Sequence, residues 1–262
     1  MKLQASHVLH PAWTFCLYSA AIAHGLQVPR PLLSPIHVSI APTHSRRRQS
    51  GCVACHICKG DSRVLSDGIP CTDLLQTLLD CLCAAGFRHG LAIVDSALHF
   101  RLTTVEELTA YFDAHGKGRR GIQQARKTLS YADGRSDNGD ESIVRAIIIE
   151  LGFEVPDLQV EVEDPLHPGI MKRADMGWTL PDGQVVLAEL DGLSKYLATE
   201  KEATNGGVEH VVQVMRAERL RESHLNLTGA TVLRFSFAQA LDTEYLFNLL
   251  TAAGVPLRGV RR

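Results

Sequence analysis

The chain has 262 residues and 45% hydrophobic side chains, enough for the cores of one large or two ordinary domains. Seven cysteines, an odd number without an even disulfide framework, argue against secretion and for a reducing cytoplasm. The charge is uneven, with 14 Lys/Arg against 8 Asp/Glu over residues 1–130 and 13 against 21 over residues 131–262. A basic first half indicates contact with nucleic acid or, more simply, a solvated surface.

The first predicted element is a short helix over residues 18–26 that ends near Gly25. The apolar stretch 12–23 also looks like a secretory signal peptide, but only one lysine precedes it and the cysteine usage favours the cytoplasm. A strand is predicted over residues 36–40. The triple arginine 46–48 behind it fits a phosphate contact, and an exposed hairpin tip is the simpler interpretation.

Two overlapping CxxC steps follow, formed by Cys52, Cys55 and Cys58 with His56 among them. These are soft ligands for zinc or an iron–sulfur cluster, with Cys71 or a histidine as the fourth ligand. If residues 52–58 form a β-strand, as the family resemblance given below implies, Cys55 and Cys58 would point to opposite faces. Free cysteine also behaves as a small hydrophobe, so we expect purified protein to contain no stoichiometric zinc or iron.

Helical spacing of leucines predicts a helix after Thr72, which is the expected N-cap. Two more helices are predicted over residues 90–100 and 105–115, the second capped by Thr103 or Thr104. Asp80 and Asp95, which lie within or beside these helices, are expected to face water.

A basic, glycine-rich turn over residues 116–121 leads into a helix over residues 122–130. The turn is not a P-loop, because the order GxxxxGK[ST] is missing and no strand precedes it. Turn-forming residues cluster over residues 132–139, and we place the domain boundary there, near residue 134. A helix over residues 140–151 and a strand over residues 159–163 are predicted next.

A β-hairpin over residues 174–190 then carries a set of acidic side chains. Alternation along a strand predicts that Asp175, Gly177 and Thr179 share one face, and that Ala174, Met176, Trp178 and Leu180 share the other. Glu189 and Asp191 point the same way at the end of the second strand. Carboxylates so placed are costly to bury without a cation, and Mg²⁺ takes such oxygen ligands. A helix from residue 208, a strand over residues 230–237 and a helix over residues 239–253 complete the chain.

The hairpin order Asp, then Glu-x-Asp-Gly, then Lys195-Tyr196 resembles the PD-(D/E)xK restriction-endonuclease-like superfamily, in particular the branch related to very-short-patch-repair endonucleases. The segment Tyr18-Ser-Ala-Ala-Ile-Ala-His-Gly-Leu26 resembles the helix that opens the C-terminal region of AbiEi antitoxins. The resemblance implies an α/β fold in two parts. Residues 1–134 would form an AbiEi antitoxin-like region that lacks the winged helix-turn-helix, and residues 135–262 a restriction-endonuclease-like domain with a mixed sheet flanked by helices.

The resemblance also implies a site. Its catalytic residues would be Glu141, Asp175, Glu189, Asp191 and Lys195, with Asp175, Glu189 and Asp191 as ligands of Mg²⁺ or Mn²⁺. Glu141 fits equally a simpler role, complementing the helix dipole or pairing with Arg145. The sequence departs from the family at one point, since Asp191 stands where the family has its lysine, and Lys195 is the nearby substitute.

The function implied is a Mg²⁺-dependent DNA endonuclease in a toxin–antitoxin, phage-defence or DNA-repair context. The alternative is a non-catalytic, type IV antitoxin-like transcriptional regulator with a degenerate nuclease fold. The expected partners are DNA and a cognate toxin or its operator, with no membrane, and the expected location is the cytoplasm.

Overall fold

The computed structural model describes residues 2–40, 51–57, 63–191 and 228–259. The chain divides into two compact units, Met1–Ile143 and Val144–Arg262. Each unit is mixed α/β, as predicted, with a mixed sheet of its own. The boundary expected near residue 134 precedes the observed division, which falls within one helix.

The first unit contains a five-stranded sheet among its described residues. Its strands are β1 (Thr14–Phe15), β2 (Ile36–Ser39), β3 (Val53–His56), β4 (Arg63–Ser66) and β5 (Ile69–Thr72). The strand order is β3-β2-β1-β5-β4, with β1 antiparallel to β2 and parallel to β5. The strand predicted through the cysteines is therefore present as β3, which runs parallel to β2.

The helices of this unit follow local sequence signals. They are α1 (Lys2–Leu9), α2 (Leu17–Ala23), a 3₁₀ turn (Arg30–Leu32), α3 (Leu74–Ala84), α4 (Phe87–His99), α5 (Val105–His115), α6 (Ile122–Leu129) and α7 (Gly139–Glu150), which crosses into the second unit. Gly25 has a φ of +78° just after α2, as the predicted helix end requires. The predicted cap of α3 was wrong by one residue: Thr72 is still in β5, and Asp73 accepts a hydrogen bond from the Gln76 N–H at 3.0 Å.

The second unit holds a four-stranded mixed sheet in the part of the chain that is described. Its strands are β6 (Asp157–Glu163), β7 (Met171–Thr179), β8 (Val185–Asp191) and β9 (Thr231–Ser236), followed by helices α8 (Phe237–Leu241) and α9 (Thr243–Ala252). The strands stand in chain order, antiparallel from β6 to β8, and β9 is parallel to β8.

One predicted helix of this unit is in fact two. The prediction was a continuous helix over residues 239–253, but Asp242 adopts an extended ψ of 97° between α8 and α9. Its side chain accepts hydrogen bonds from the N–H groups of Glu244 and Tyr245, so it caps the second helix. The helix predicted from residue 208 lies outside the described residues.

The cores are apolar, and each lies within its own unit. In the first unit Phe15, Val38 and Cys71 are buried together from three different strands. In the second unit buried side chains come from the sheet, the helices and the segment between α7 and β6, among them Ile147, Ile148, Phe153, Met176, Phe235, Leu246 and Leu250. Within the described ranges, no helix has the length and apolar character needed to cross a membrane.

Candidate functional site

A row of polar side chains crosses the second sheet at one level. Glu189 of β8 is in register with Arg234 of β9. Asp175 follows one residue beyond the registered pair Met176 and Ala188, which places it beside Glu189. Gln159 of β6 stands between the pairs that join β6 to β7 on either side of Asp175. We call Gln159, Asp175, Glu189 and Arg234 the polar row.

The strand alternation predicted for β7 is interrupted at Asp175. A Cβ on Gly177 would lie 3.1 Å from the Leu187 side chain, and Ala174 belongs to the same apolar cluster as Leu187. Two residues three positions apart cannot share a face of a regular strand. The prediction that Ala174 lies on the face opposite Gly177 was therefore wrong. The reason is the irregular pairing at Gln159, which has a φ of +54°.

This interruption gives the carboxylate of Asp175 a backbone partner. Its Oδ2 accepts a hydrogen bond from the N–H of Leu190 at 2.8 Å. A side-chain oxygen thus binds a backbone donor of the neighbouring strand where the regular pairing has stopped. Asp175 is half-buried and ties β7 to the end of β8.

Glu189 forms an ion pair across β8 and β9. Its Oε2 accepts a hydrogen bond from Nη2 of Arg234. The two side chains are 6% and 17% exposed, so the pair is largely withdrawn from water. Charge-assisted hydrogen bonds of this kind are about twice as strong as neutral ones. Sequence analysis missed Arg234, because the register that places it beside Glu189 is seen only in the structure.

Of the other predicted site residues, the structure describes Asp191 and Glu141. Asp191 is exposed at the last position of β8, level with Ser236. Glu141 belongs to the first unit, where it accepts hydrogen bonds from the N–H of Asp137 at 2.9 Å and from Nδ2 of Asn138 at 2.5 Å. Its carboxylate closes the first turn of α7. Lys195 lies outside the described residues.

The described carboxylates do not fit the metal that the resemblance implies. A divalent ion needs several oxygen ligands directed at one point. One oxygen of Glu189 is held by Arg234 and one of Asp175 by a backbone N–H. No group of three or more His, Cys, Asp or Glu side chains that could hold a metal is found among residues 2–40, 51–57, 63–191 and 228–259.

The cysteine motif is only partly described. Cys55 lies on β3 opposite Val38 of β2, and Cys52 is exposed just before the strand. Cys58 lies outside the described residues. The histidines here contact each other, since Nδ1 of His37 and Nε2 of His56 are 2.8 Å apart. Burial, and then the neighbouring His56, lowers the pKa of His37 to about 4.

Asp80 and Asp95 do not face water as expected. Asp95 is 1% exposed and accepts a hydrogen bond from the N–H of Asp133 at 2.8 Å. Asp80 forms an ion pair with Arg119, and both side chains are 14% exposed. Arg119 also donates to Gln76, which in turn donates to Asp80 at 2.8 Å. These contacts hold the glycine-rich turn against α3.

Most of the exposed side chains of this turn and of α6 are basic. Residues 114–132 contain five Lys/Arg and no Asp/Glu. Arg119 points inward, while four basic residues are exposed: Lys117, Arg120, Arg126 and Lys127. We call these four the basic surface. Lys127 lies 5.4 Å from the Phe87 ring, and Arg126 pairs with Asp113 at 2.8 Å.

Comparison with known proteins finds two relatives that match part of the chain. No protein-family model matches the chain, and no solved structure matches it at a significant level. Two uncharacterised proteins of Mycobacterium tuberculosis, from strains CDC 1551 / Oshkosh and ATCC 25618 / H37Rv, are each 38% identical to it over 90 residues. The match covers 34% of this chain and 32% of each relative, so the chain spans about a third of the length of the curated relatives it matches. At this coverage the likeness assigns neither a family nor an activity.

Proposed function

We propose that the protein is a DNA-associated regulator of the antitoxin-like class, which acts in the cytoplasm by binding DNA rather than by cleaving it. The basic surface of the first unit carries this proposal. Four exposed cations stand on one short turn and the helix that follows it. Duplex DNA presents about one negative charge per 1.7 Å along its axis, so a compact set of cations can contact several phosphates at once.

The contacts around the basic surface favour its binding to DNA phosphates. The ion pair of Arg119 with Asp80 and the close packing of Gly121 on α3 hold the turn in place. Lys117 and Arg120 therefore extend from a fixed backbone. The pair of Arg126 with Asp113 is 45% and 58% exposed, and such surface pairs contribute little, so the guanidinium can exchange partners with a phosphate.

Salt-dependent binding tests this proposal. We expect fluorescence anisotropy with a short labelled duplex to show an affinity that falls steeply with salt. Lys117→Gln with Arg120→Gln should reduce the slope of log affinity against log salt by about 1 to 2, because each lost phosphate contact removes roughly 0.9.

The matched control is Arg30→Gln with Arg63→Gln. It removes the same charge from exposed positions elsewhere in the same unit. This control should leave the slope unchanged. Equal weakening by both pairs would show that only net charge matters, and absence of binding by the wild type would contradict the proposal outright.

Metal-dependent cleavage of DNA is the second candidate function. Its supporting observation is that Asp175 of β7 lies beside Glu189 of β8. Against it, one oxygen of each carboxylate already accepts a hydrogen bond. Supercoiled plasmid incubated with Mg²⁺ or Mn²⁺ tests it. Nicking that requires the metal and disappears in Glu189→Gln would establish an endonuclease, whereas the regulator is expected to leave the plasmid intact.

The resemblance to AbiEi antitoxins supports the regulatory context. A protein of this kind would act on the operator of a toxin gene or on the toxin itself. Two experiments test this context directly. One asks whether the products of adjacent genes co-purify with the protein. The other asks whether the protein retards the DNA upstream of its own gene in a gel. Retardation of that DNA and of unrelated DNA to the same extent would count against operator recognition.

A further inference from the structure

The ion pair of Glu189 with Arg234 carries an inference about the second unit that does not depend on DNA binding by the first. A buried carboxylate needs a counter-charge, because transfer of an unpaired charge out of water is strongly unfavourable. A metal ion is one solution, and a guanidinium is another. Glu189 is 5% exposed and has the guanidinium.

The register of the sheet fixes this guanidinium beside Glu189. Arg234 is level with Glu189 on the adjacent parallel strand, with Ala188 level with Leu233 and Leu190 level with Phe235. Arginine keeps its charge throughout the working pH range. Because Arg234 is part of the chain, it cannot dissociate from Glu189 as a metal ion can. The neutralisation of Glu189 is therefore permanent in the folded chain.

A divalent cation would have to enter against this arrangement. It would need the oxygen of Glu189 that Arg234 holds and the oxygen of Asp175 that the Leu190 N–H holds. Its two positive charges would also repel the guanidinium at close range. Asp191 at the exposed end of β8 offers a single carboxylate in water, which attracts such ions only weakly.

We infer that Arg234 is a built-in counter-ion that takes the place of the metal in the polar row, and that the second unit gains affinity for a divalent cation only when Arg234 is removed. In the polar row the guanidinium thus excludes Mg²⁺ and Mn²⁺ from Glu189. Glu189 and Asp175 supply the carboxylates that a cation would use in its absence.

Thermal unfolding with and without MnCl₂ tests the inference. A Trp13→Phe background leaves Trp178 as the reporter, a buried residue of β7 in the second unit. The wild-type Tm should not respond to millimolar Mn²⁺. Arg234→Gln should lower the Tm by roughly 10 °C, since loss of one partner leaves a buried charge, and Mn²⁺ should then raise it again by linkage.

Two further variants keep the test decisive if Arg234→Gln does not fold. Arg234→Lys keeps the charge and should remain insensitive to Mn²⁺. Glu189→Gln with Arg234→Gln removes both charges and should be more stable than Arg234→Gln alone, with no response to Mn²⁺. The inference is overturned if Mn²⁺ raises the wild-type Tm in a Glu189-dependent manner, or if the double variant is no more stable than the single one.

Discussion

Replacement of Gly121 by alanine should destabilise the first unit through one collision. A Cβ at this position would lie 2.1 Å from the backbone carbonyl oxygen of Cys83 and 2.9 Å from its carbonyl carbon. Those atoms belong to α3, so they cannot move aside as the end of a flexible side chain would. Gly121 also has a φ of +85°, which alanine adopts with strain.

The expected loss of stability is the sum of two costs, the backbone strain and the steric collision. The left-handed backbone costs about 1–2 kcal/mol for a residue with a Cβ, partly offset by the reduced freedom of the unfolded chain. Overpacking against a fixed backbone adds about 1–3 kcal/mol. We expect Gly121→Ala to lower the free energy of unfolding by about 2–4 kcal/mol.

Gly118 supplies the matched control on the same turn. Its φ is +72°, but an added Cβ meets nothing within 4 Å, so Gly118→Ala carries the strain without the collision. Urea unfolding should be followed by the fluorescence of Trp13 in a Trp178→Phe background, which isolates the first unit. If the free energy of unfolding falls by the same amount in both variants, to within about 0.5 kcal/mol, the packing of the turn on α3 is refuted.

Two more predictions concern the first unit. The depressed pKa of His37, about 4, means that the unfolded chain binds the proton more readily, so stability should fall as the pH drops from about 6.5 towards 4. His37→Gln should flatten that part of the curve of urea midpoint against pH, and a wild-type curve without this fall would contradict the assignment. Thr104→Ala should cost about 1 kcal/mol by loss of the capping box with Glu107. Thr109→Ala, at an exposed position of the same helix, should change the urea midpoint far less.

The fold could be predicted from sequence where the signal is local. The N-cap at Thr104, one of the two residues predicted, and the glycine after α2 lie within a few residues of the helix ends they define. The hairpin of β7 and β8 was predicted for the same reason. The break at Asp242 was missed because apolar residues continue at helical spacing on both sides of it, although aspartate is a common cap.

The candidate site was harder to predict because its contacts are distant in sequence. Asp95 looked solvent-exposed until its partner, the backbone of Asp133, was known, 38 residues along the chain. Glu189 looked like a metal ligand because its counter-charge, Arg234, follows 45 residues later. Strand alternation placed Ala174 on the wrong face because the irregular pairing depends on Gln159, on a different strand. A single sequence carries residue types but not these pairings.

The polar row also has a consequence for how the second sheet chooses its pairing. Apolar residues surround Arg234 on β9, and one apolar residue can replace another beside β8 at small cost. A shift of β9 by one residue would turn Arg234 towards the apolar layer of Phe235 and leave Glu189 opposite an apolar side chain. Two buried charges would then be unpaired, at several kcal/mol each. This penalty therefore favours the observed register of β9 over a register shifted by one residue.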